Sequence, residues 1–504
     1  MSRSGQEAES LQKLGRRDFI KHLLTLTGSG LIVAGIGDYV FGNPTQPNSG
    51  LQTSASATSS ATTSTENLLP DYQDFLTWLE TAATRTQQRS VNISLEAEFM
   101  PISIQKRSLD FFRHSQINDE YSLKPYALQL SDVSLMVQTQ SPTYDVFSVD
   151  NQNLGVFKGA VVSPLTLAQE YPDLTYPKLN VAEFSRFVWD NVATYPPDLS
   201  LGSGGTTPSN VPLFPLDMPI MVLFYRSDVY SRLGMAPPKT WDEYFEDVKA
   251  LKSAGTPFGT VNMAAPDISI VYEFANHLAS FGGRLWEING NNLTPTINSD
   301  ACLAALENFV RFEPYSDPSS YTYSWGDVFT SLAHGVAATG LLWHDYINWL
   351  NDSIRSTVSG KIAMTANPSG PKGSFSTFGG AGVGVSRYSK NPQAAWLWLQ
   401  WATAKGLQEM LVLDAYHVYP TRESALAVPG VSDQLTGAAY ASANLARSIW
   451  SSGNVTALVG FPKWWQALDP ISFHLNRAWV GSETPKQALD AAQQRVQALG
   501  SLTF

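Results

Sequence analysis

The stretch from Leu213 to Leu251 constrains the fold more than any other, because it sets a strand, a turn and a capped helix in immediate succession. Pro219–Tyr225 (PIMVLFY) is a short apolar run, partly aromatic and with little polar alternation, the pattern of a strand buried on both faces. Arg226–Leu233 fits a short helix that Gly234 ends, and Pro237-Pro238 then breaks the chain. Thr240 with Glu243 three residues on is a capping-box pattern. Beyond it Trp241, Tyr244, Phe245, Val248 and Leu251 recur at helical spacing and form one apolar face. The result is an α/β unit.

The chain before this unit repeats the theme. Val91–Glu98 alternates as a strand, a helix carries Ile104, Leu109 and Phe112, and Tyr121–Leu130 reads as a second strand. Asp132–Val137 begins a further helix, and Tyr144–Val149 is a buried strand. The order β-α-β-α-β implies a parallel sheet with helices on both faces. Ligands of such sheets sit beyond the carboxyl ends of the strands. The triplets Glu98-Phe99-Met100 and Asp150-Asn151-Gln152 directly follow two strand ends and are therefore candidate ligand contacts.

Several chemistries lack support. With 504 residues the chain can build two or three domains with full cores, and 43% hydrophobic against 15% charged content makes most of it globular. A net charge of −11 argues against nucleic acid, whose phosphates need clustered Lys and Arg. The single cysteine, Cys302, excludes an intramolecular disulfide and any cysteine-rich metal site, and its apolar helical context makes it a core thiol. No Gly-x-Ser-x-Gly nucleophile motif occurs, and no local pattern marks a glycosidase carboxylate pair. His344-Asp345 is the one tight His–carboxylate pair, and adjacent residues of one element rarely chelate together. The run Gly379-Gly380-Ala381-Gly382-Val383-Gly384 lacks the Lys-Ser/Thr of a phosphate loop and leads into a strand, so its glycines admit close backbone approach instead. Neither catalytic residues nor a metal or cofactor is expected. The 14 Trp, 20 Tyr and 24 Phe suit a cleft that stacks against flat ligand faces.

Residues 1–67 read as something other than core. Arg16-Arg17, Phe19 and Lys21 precede an apolar, glycine-interrupted run from Leu23 to Phe41. This resembles a twin-arginine export signal (residues 1–42), and the run is also about long enough to anchor in a bilayer. Residues 43–67 are Ser, Thr, Pro, Gln and Ala with almost no charge, the composition of a flexible tether.

Further motifs resemble one family. Tyr225-Arg226-Ser227-Asp228, Leu233-Gly234-Met235 and Pro237-Pro238-Lys239-Thr240-Trp241-Asp242-Glu243 are similar to the signature of extracellular solute-binding proteins of ABC importers, most of all the sugar-binding, maltose-binding-protein-like group. Gly335-Val336-Ala337-Ala338 followed by Trp343, the strand Thr377–Ser386, and Pro420-Thr421-Arg422 extend the likeness. The resemblance implies an α/β, two-lobed periplasmic-binding-protein-like fold of type II, each lobe a mostly parallel sheet flanked by helices, with a ligand cleft between lobes. Residues 68–217 and 360–420 would form the first lobe, and 218–359 and 421–504 the second.

The resemblance also implies a site. Trp343 would be a stacking wall, with Trp325, Trp464 and Trp465 as further aromatics, and Asp150, Asn151 and Asp217 as the polar set. Glu98, Phe99, Tyr272, His344, Asp345, Phe378, Gly379 and Gly380 complete it. Trp343→Ala is expected to weaken binding with little loss of stability. The implied function is an exported, monomeric solute-binding component that closes by a hinge on a mono- or oligosaccharide and delivers it to a membrane permease. Two alternatives remain at this point: a binder of a cationic solute such as a polyamine, using Asp150 and Asp217 with an aromatic box, and a carbohydrate-active enzyme.

Overall fold

The computed structural model describes residues 68–197, 207–414, 418–427 and 437–504. The export-signal and tether assignments, and His417 before the return motif, lie outside these residues. Helix α1 (Pro70–Ala83) opens the first layer and buries Tyr72, Phe75, Leu76 and Leu79. The first sheet holds β1 (Ser90–Glu96), β2 (Asn118–Lys124), β3 (Val146–Asp150), β4 (Val161–Val162) and β5 (Phe214–Pro215). Strand β1 runs parallel to both β2 and β3. Between β2 and β3 lies helix α2 (Tyr126–Thr139). The expected strand Tyr121–Leu130 is cut short here: Pro125 occupies the N-cap of α2, so the chain turns helical at Tyr126. The Val91–Glu98 strand likewise ends at Glu96, because Glu98 caps the next helix, Phe99–Lys106.

The second sheet is built by β6 (Met221–Arg226), β7 (Thr339–Trp343) and β8 (Ile362–Thr365) in the order β8-β6-β7. Residues 220–224 are wholly buried, as the apolar run requires. This sheet corrects the expectation of two mostly parallel sheets: β6 is antiparallel to both neighbours. The reason lies in the crossing. β6 leaves the first sheet's edge and runs outward, whereas β7 comes back to it, pairing Trp343 with Met221. Parallel contacts enter only as single bridges, Phe258 with Ala337 and Val261 with Gly340.

Around this sheet stand α3 (Trp241–Ser253), α4 (Ile268–Phe281) and α5 (Trp325–Ala333). The capping box is present: Glu243 N donates to Thr240 Oγ1 at 3.1 Å, and Thr240 N to Glu243 Oε2 at 3.2 Å. Gly234 ends the preceding helix with φ of 67°.

The chain then returns. Asn367 ties the return segment to the second layer, its Nδ2 lying 3.0 Å from Met221 O, 2.9 Å from Asn276 Oδ1 and 3.0 Å from Phe375 O. The second crossing follows at Phe378–Gly380, where Gly379 N donates to Pro219 O at 3.2 Å. Strand β9 (Ala381–Ser386) re-enters the first sheet antiparallel to β3, giving the order β2-β1-β3-β9-β4, with β5 also on β9. The helix that follows, α6 (Pro392–Ala402), is buried all round from Ala394 to Ala402 and packs into the first layer with Trp396, Trp398 and Trp401 inaccessible. The C-terminal α8 (Trp464–Trp479), which follows α7 (Lys405–Leu413), packs against α4 of the second layer.

Helices α7 and α1 meet where Gly406 faces the other backbone. A Cβ at Gly406 would lie 2.3 Å from Tyr72 N and 2.5 Å from the carbonyl carbon of Asp71. Gly406→Ala therefore forces the two helices apart and is expected to cost about 1–3 kcal/mol, the usual range for overpacking. Urea unfolding checks this through a lower midpoint at unchanged slope; a wild-type midpoint would show that the helices separate freely.

Candidate functional site

The two sheets converge on one narrow cavity, in which about 50 Å³ admits the centre of a water-sized sphere. Its lining comes from places where a regular element has just ended or is about to begin. From the first sheet, β1 ends on Glu96 and the following turn delivers Glu98, Phe99 and Met100. β3 ends on Asp150, and α2 begins with Tyr126. The first crossing supplies Asp217, Met218 and Pro219, and the return supplies Gly379. From the second sheet, β7 ends on Trp343, followed by His344 and Asp345, while α4 and α5 contribute Tyr272 and Trp325. Val418 and Tyr419 close the far side.

Aromatic rings join the lobes across this space. Tyr126 meets Trp325 edge to face at 5.6 Å, and Phe99 reaches Tyr346 at 5.0 Å and Trp349 at 4.5 Å. Trp343 is wedged: Tyr272 stands edge-on at 5.1 Å, and the far ring edge lies flat against Gly379, where a Cβ would come within 2.4–2.8 Å of three ring atoms. Only 7% of Trp343 is exposed. The ring is thus a fixed wall and not a free platform, and truncating it removes core contacts as well as a binding surface. This overturns the expectation that Trp343→Ala leaves stability almost untouched.

The electrostatics are one-sided. Glu96, Glu98, Asp150, Asp217 and Asp345 line the cavity, and among the described residues no Lys or Arg lines it with them. Burial raises every one of these carboxyls first, and repulsion from neighbouring carboxyls adds to it in all but Asp217. Glu96 is pushed well up by burial and then by Asp150, Glu98 and Asp217. Glu98 is also well up, through burial, then Asp345 and Asp217, against hydrogen bonds from Trp325 and from Tyr346, whose Oη lies 3.4 Å from Oε1. Burial with Asp217 lifts Asp150 to about 8 and Asp345 to about 7. Asp217 itself reaches about 7 through burial, opposed by the Ala381 N–H donating to its Oδ1 at 2.7 Å. His344, held down to about 4 by burial, stays neutral and accepts the Ile220 N–H at Nδ1, 3.3 Å away.

A carboxyl with a raised folded pKa binds its proton more tightly folded than unfolded, so its contribution to stability is full below the unfolded value and is lost as pH rises to the folded one. Glu273, lifted to about 8 by burial, acts in the same sense. The solute-free protein is therefore expected to lose melting temperature steadily between about pH 4 and about pH 8. Thermal melts across that range test it; a melting temperature that is flat or climbs would contradict the assignment of unneutralised carboxyls.

Of the sequence candidates, Glu98, Phe99, Asp150, Asp217, Tyr272, Trp325, Trp343, His344, Asp345 and Gly379 are brought together at the cavity. Five others stand off it. Asn151 turns its amide to Leu458 O at 2.6 Å. Trp464 is inaccessible and packs on Phe461 at 6.0 Å, and Trp465 packs on Phe157 while donating to Asn153 Oδ1 at 2.9 Å. Phe378 is buried between Phe187 and Trp450. Gly380 gives room to the Phe378 ring, which a Cβ there would meet at 2.2 Å. Sequence reading missed Glu96, Tyr126, Met218, Pro219, Val418 and Tyr419. Pro125 was a usable signal for Tyr126, since a proline disfavours a strand running through it.

A second, wider cavity, in which about 710 Å³ admits the centre of a water-sized sphere, adjoins the first and shares Met218 and Tyr419 with it. Among the described residues no group of three or more His, Cys, Asp or Glu is placed to hold a metal ion, and no helix is long and apolar enough to cross a membrane.

Comparison with known proteins agrees with this geometry. The sequence model of bacterial extracellular solute-binding proteins matches residues 125–409. A curated relative, the "Probable amino-acid ABC transporter periplasmic-binding protein y4oP" of Sinorhizobium fredii, is 26% identical over 282 residues, 55% of this chain. The match spans 62% of that relative's own length. Among solved structures, an ABC transporter solute-binding protein from Agrobacterium radiobacter K84 in complex with ribitol superposes with a TM-score of 0.69 at 19% identity, covering 82% of this chain and 98% of that one. Maltose-bound MalE3 of T. maritima gives 0.69 at 21% identity, covering 81% and 99%. These likenesses establish the two-lobed fold.

Proposed function

We propose that this chain, which belongs to the bacterial extracellular solute-binding protein family, captures a sugar or polyol between its lobes for delivery to an ABC importer's membrane permease. The observation that carries the reading is the cavity at the lobe crossing, where aromatic walls alternate with carboxylates. Aromatic faces suit the C–H surfaces of a sugar, and carboxylates accept paired hydroxyl hydrogen bonds. The two crossings, through Asp217–Ile220 and through Phe378–Gly380, are where a hinge would flex. A closed form stabilised by the solute is then what a permease would select.

The relatives' solutes support part of this reading. Ribitol and maltose are polyhydroxylated, as the cavity's acceptors require. An amino acid, named for the Sinorhizobium relative, fits less well: its α-carboxylate would meet carboxyls and, among the described lining residues, no Arg or Lys. The larger adjoining cavity gives room for a solute of more than one ring. The proposal takes residues 1–42 as an export signal or anchor and 43–67 as a tether, places the protein outside the cytoplasm as a monomer, and assigns it no catalysis. It takes 68–217 and the chain re-entering at Ala381 as one lobe, and 218–359 with 421–504 as the other; the expected boundary at 360 moves later, because Ile362–Thr365 pairs with β6 in the second sheet.

Intrinsic fluorescence tests it, since Trp325 and Trp343 line the cavity. Titration with a panel of sugars and polyols is expected to give a saturable change with at least one of them. Asp217→Asn, which keeps the shape but weakens acceptance of hydroxyls, is expected to raise that solute's Kd by about tenfold. Saturable binding unaffected by changes at Asp217 and Trp343 would place the solute elsewhere.

A further inference from the structure

Five carboxyls share one cavity with no Lys or Arg among its described lining residues, so each repels the next as it ionises, and a neutral sugar would not relieve this. Water screens little there, so like charges so placed cost far more than on the surface. The other titratable groups that face them bring no compensating charge. His344 is neutral, and the Tyr126, Tyr272 and Tyr346 phenols are all raised by burial and stay protonated. Arg447, which interacts with Tyr419, lines the adjoining cavity and not this one.

Two further observations point to a missing cationic group. The first is a pair of buried acceptors without donors, one on the lining residue Asp345 and one on Gln152, which touches the lining residues Tyr126 and Asp150. Gln152 is inaccessible to solvent, with its Nε2 lying 3.4 Å from Tyr126 Oη and 3.5 Å from Asp150 Oδ2. Its Oε1 has no hydrogen-bond partner, and neither has Asp345 Oδ1. Unpaired buried acceptors are costly and ask for a donor. The second is the aromatic enclosure by Tyr126, Tyr272, Trp325 and Trp343, whose π-faces attract a cation. A compact metal ion suits this less well, since no three of the carboxylates gather around one point.

We infer that the solute carries a protonated amine on its hydroxyl-bearing frame, with the positive charge lying among Glu96, Glu98, Asp150, Asp217 and Asp345. An ammonium supplies several donors at once and stays charged to high pH. The inference rests on the sugar-or-polyol reading of the same cavity and narrows it to an amino sugar or amino polyol.

Calorimetric titration with matched pairs separates the two statements: glucosamine against glucose, and 1-amino-1-deoxysorbitol against sorbitol, with spermidine as an amine without hydroxyls. The amine member of at least one pair is expected to bind about tenfold or more tighter than its neutral twin. For 1-amino-1-deoxysorbitol, whose alkylammonium stays charged across this range, affinity should rise between about pH 6 and about pH 8 as the carboxyls ionise, and fall with added salt. Glu96→Gln should reduce the amine's affinity by about tenfold and narrow its advantage over the neutral twin. A neutral twin that binds as tightly as its amine, or tighter, overturns the inference and leaves the sugar-or-polyol reading standing. Spermidine binding without either pair supports the charge and overturns the hydroxyl-bearing frame. No binding of any amine at millimolar concentration overturns the inference.

Discussion

Trp343→Ala is expected to raise the solute's Kd by about tenfold or more and to destabilise the fold by about 3–5 kcal/mol, the range for truncating a buried aromatic. Both effects come from one placement. The ring is the last residue of β7, pairs in register with Met221 beside the first crossing, and packs between Tyr272 and the backbone at Gly379. Removing it deletes a wall of the cavity and leaves a void at the point where both crossings pass. Trp343→Phe separates the two effects. It keeps an aromatic face, so about 1–2 kcal/mol of stability should be lost with a smaller loss of affinity. Urea unfolding and fluorescence titration of both variants provide the check, with Trp325 still reporting. Wild-type affinity in a folded Trp343→Ala variant would remove this residue from the site.

Gly379→Ala should have the second largest effect, through the same ring. Its added methyl would overlap three Trp343 ring atoms, so the indole must shift into the cavity or the return segment must move away. Either outcome narrows the solute's space, and the expected result is about a tenfold loss of affinity with about 1–3 kcal/mol of destabilisation. If the clash is the cause, the substitution should cost much less in a Trp343→Phe background. A double-mutant cycle measures that coupling, with an expected interaction of about 1 kcal/mol or more. Strict additivity would mean that the alanine acts elsewhere.

The parts of the fold that were legible in the sequence were those written locally. The Thr240–Glu243 box, Gly234 and the apolar run before them each specify a short piece of backbone through their own chemistry, and each is found where expected. Direction was not legible. Whether β6 runs with or against β7 depends on partners far apart in sequence, and the apolar run is equally apolar either way. The carboxyl-end rule pointed to Glu98 and Asp150, but placing the end of β1 two residues late hid Glu96, the strand's own last residue. Aromatics were the least legible. Trp343, Trp464, Trp465 and Phe378 look alike in sequence, and only packing tells a cavity wall from a ring covered by Phe461, Phe157 or Trp450. Asn151 shows the same limit for polar groups, since nothing local reveals that Leu458 O takes its amide.

The central claim is that solute is held in the cavity at the lobe crossing. A crystal structure of the protein with the solute that binds tightest in the titrations tests this most directly. The account predicts one molecule in that cavity, a face against Trp343 or Trp325 and polar atoms within hydrogen-bond distance of Asp217 and Asp150. The solute bound at any other surface, with this cavity unchanged, would contradict it.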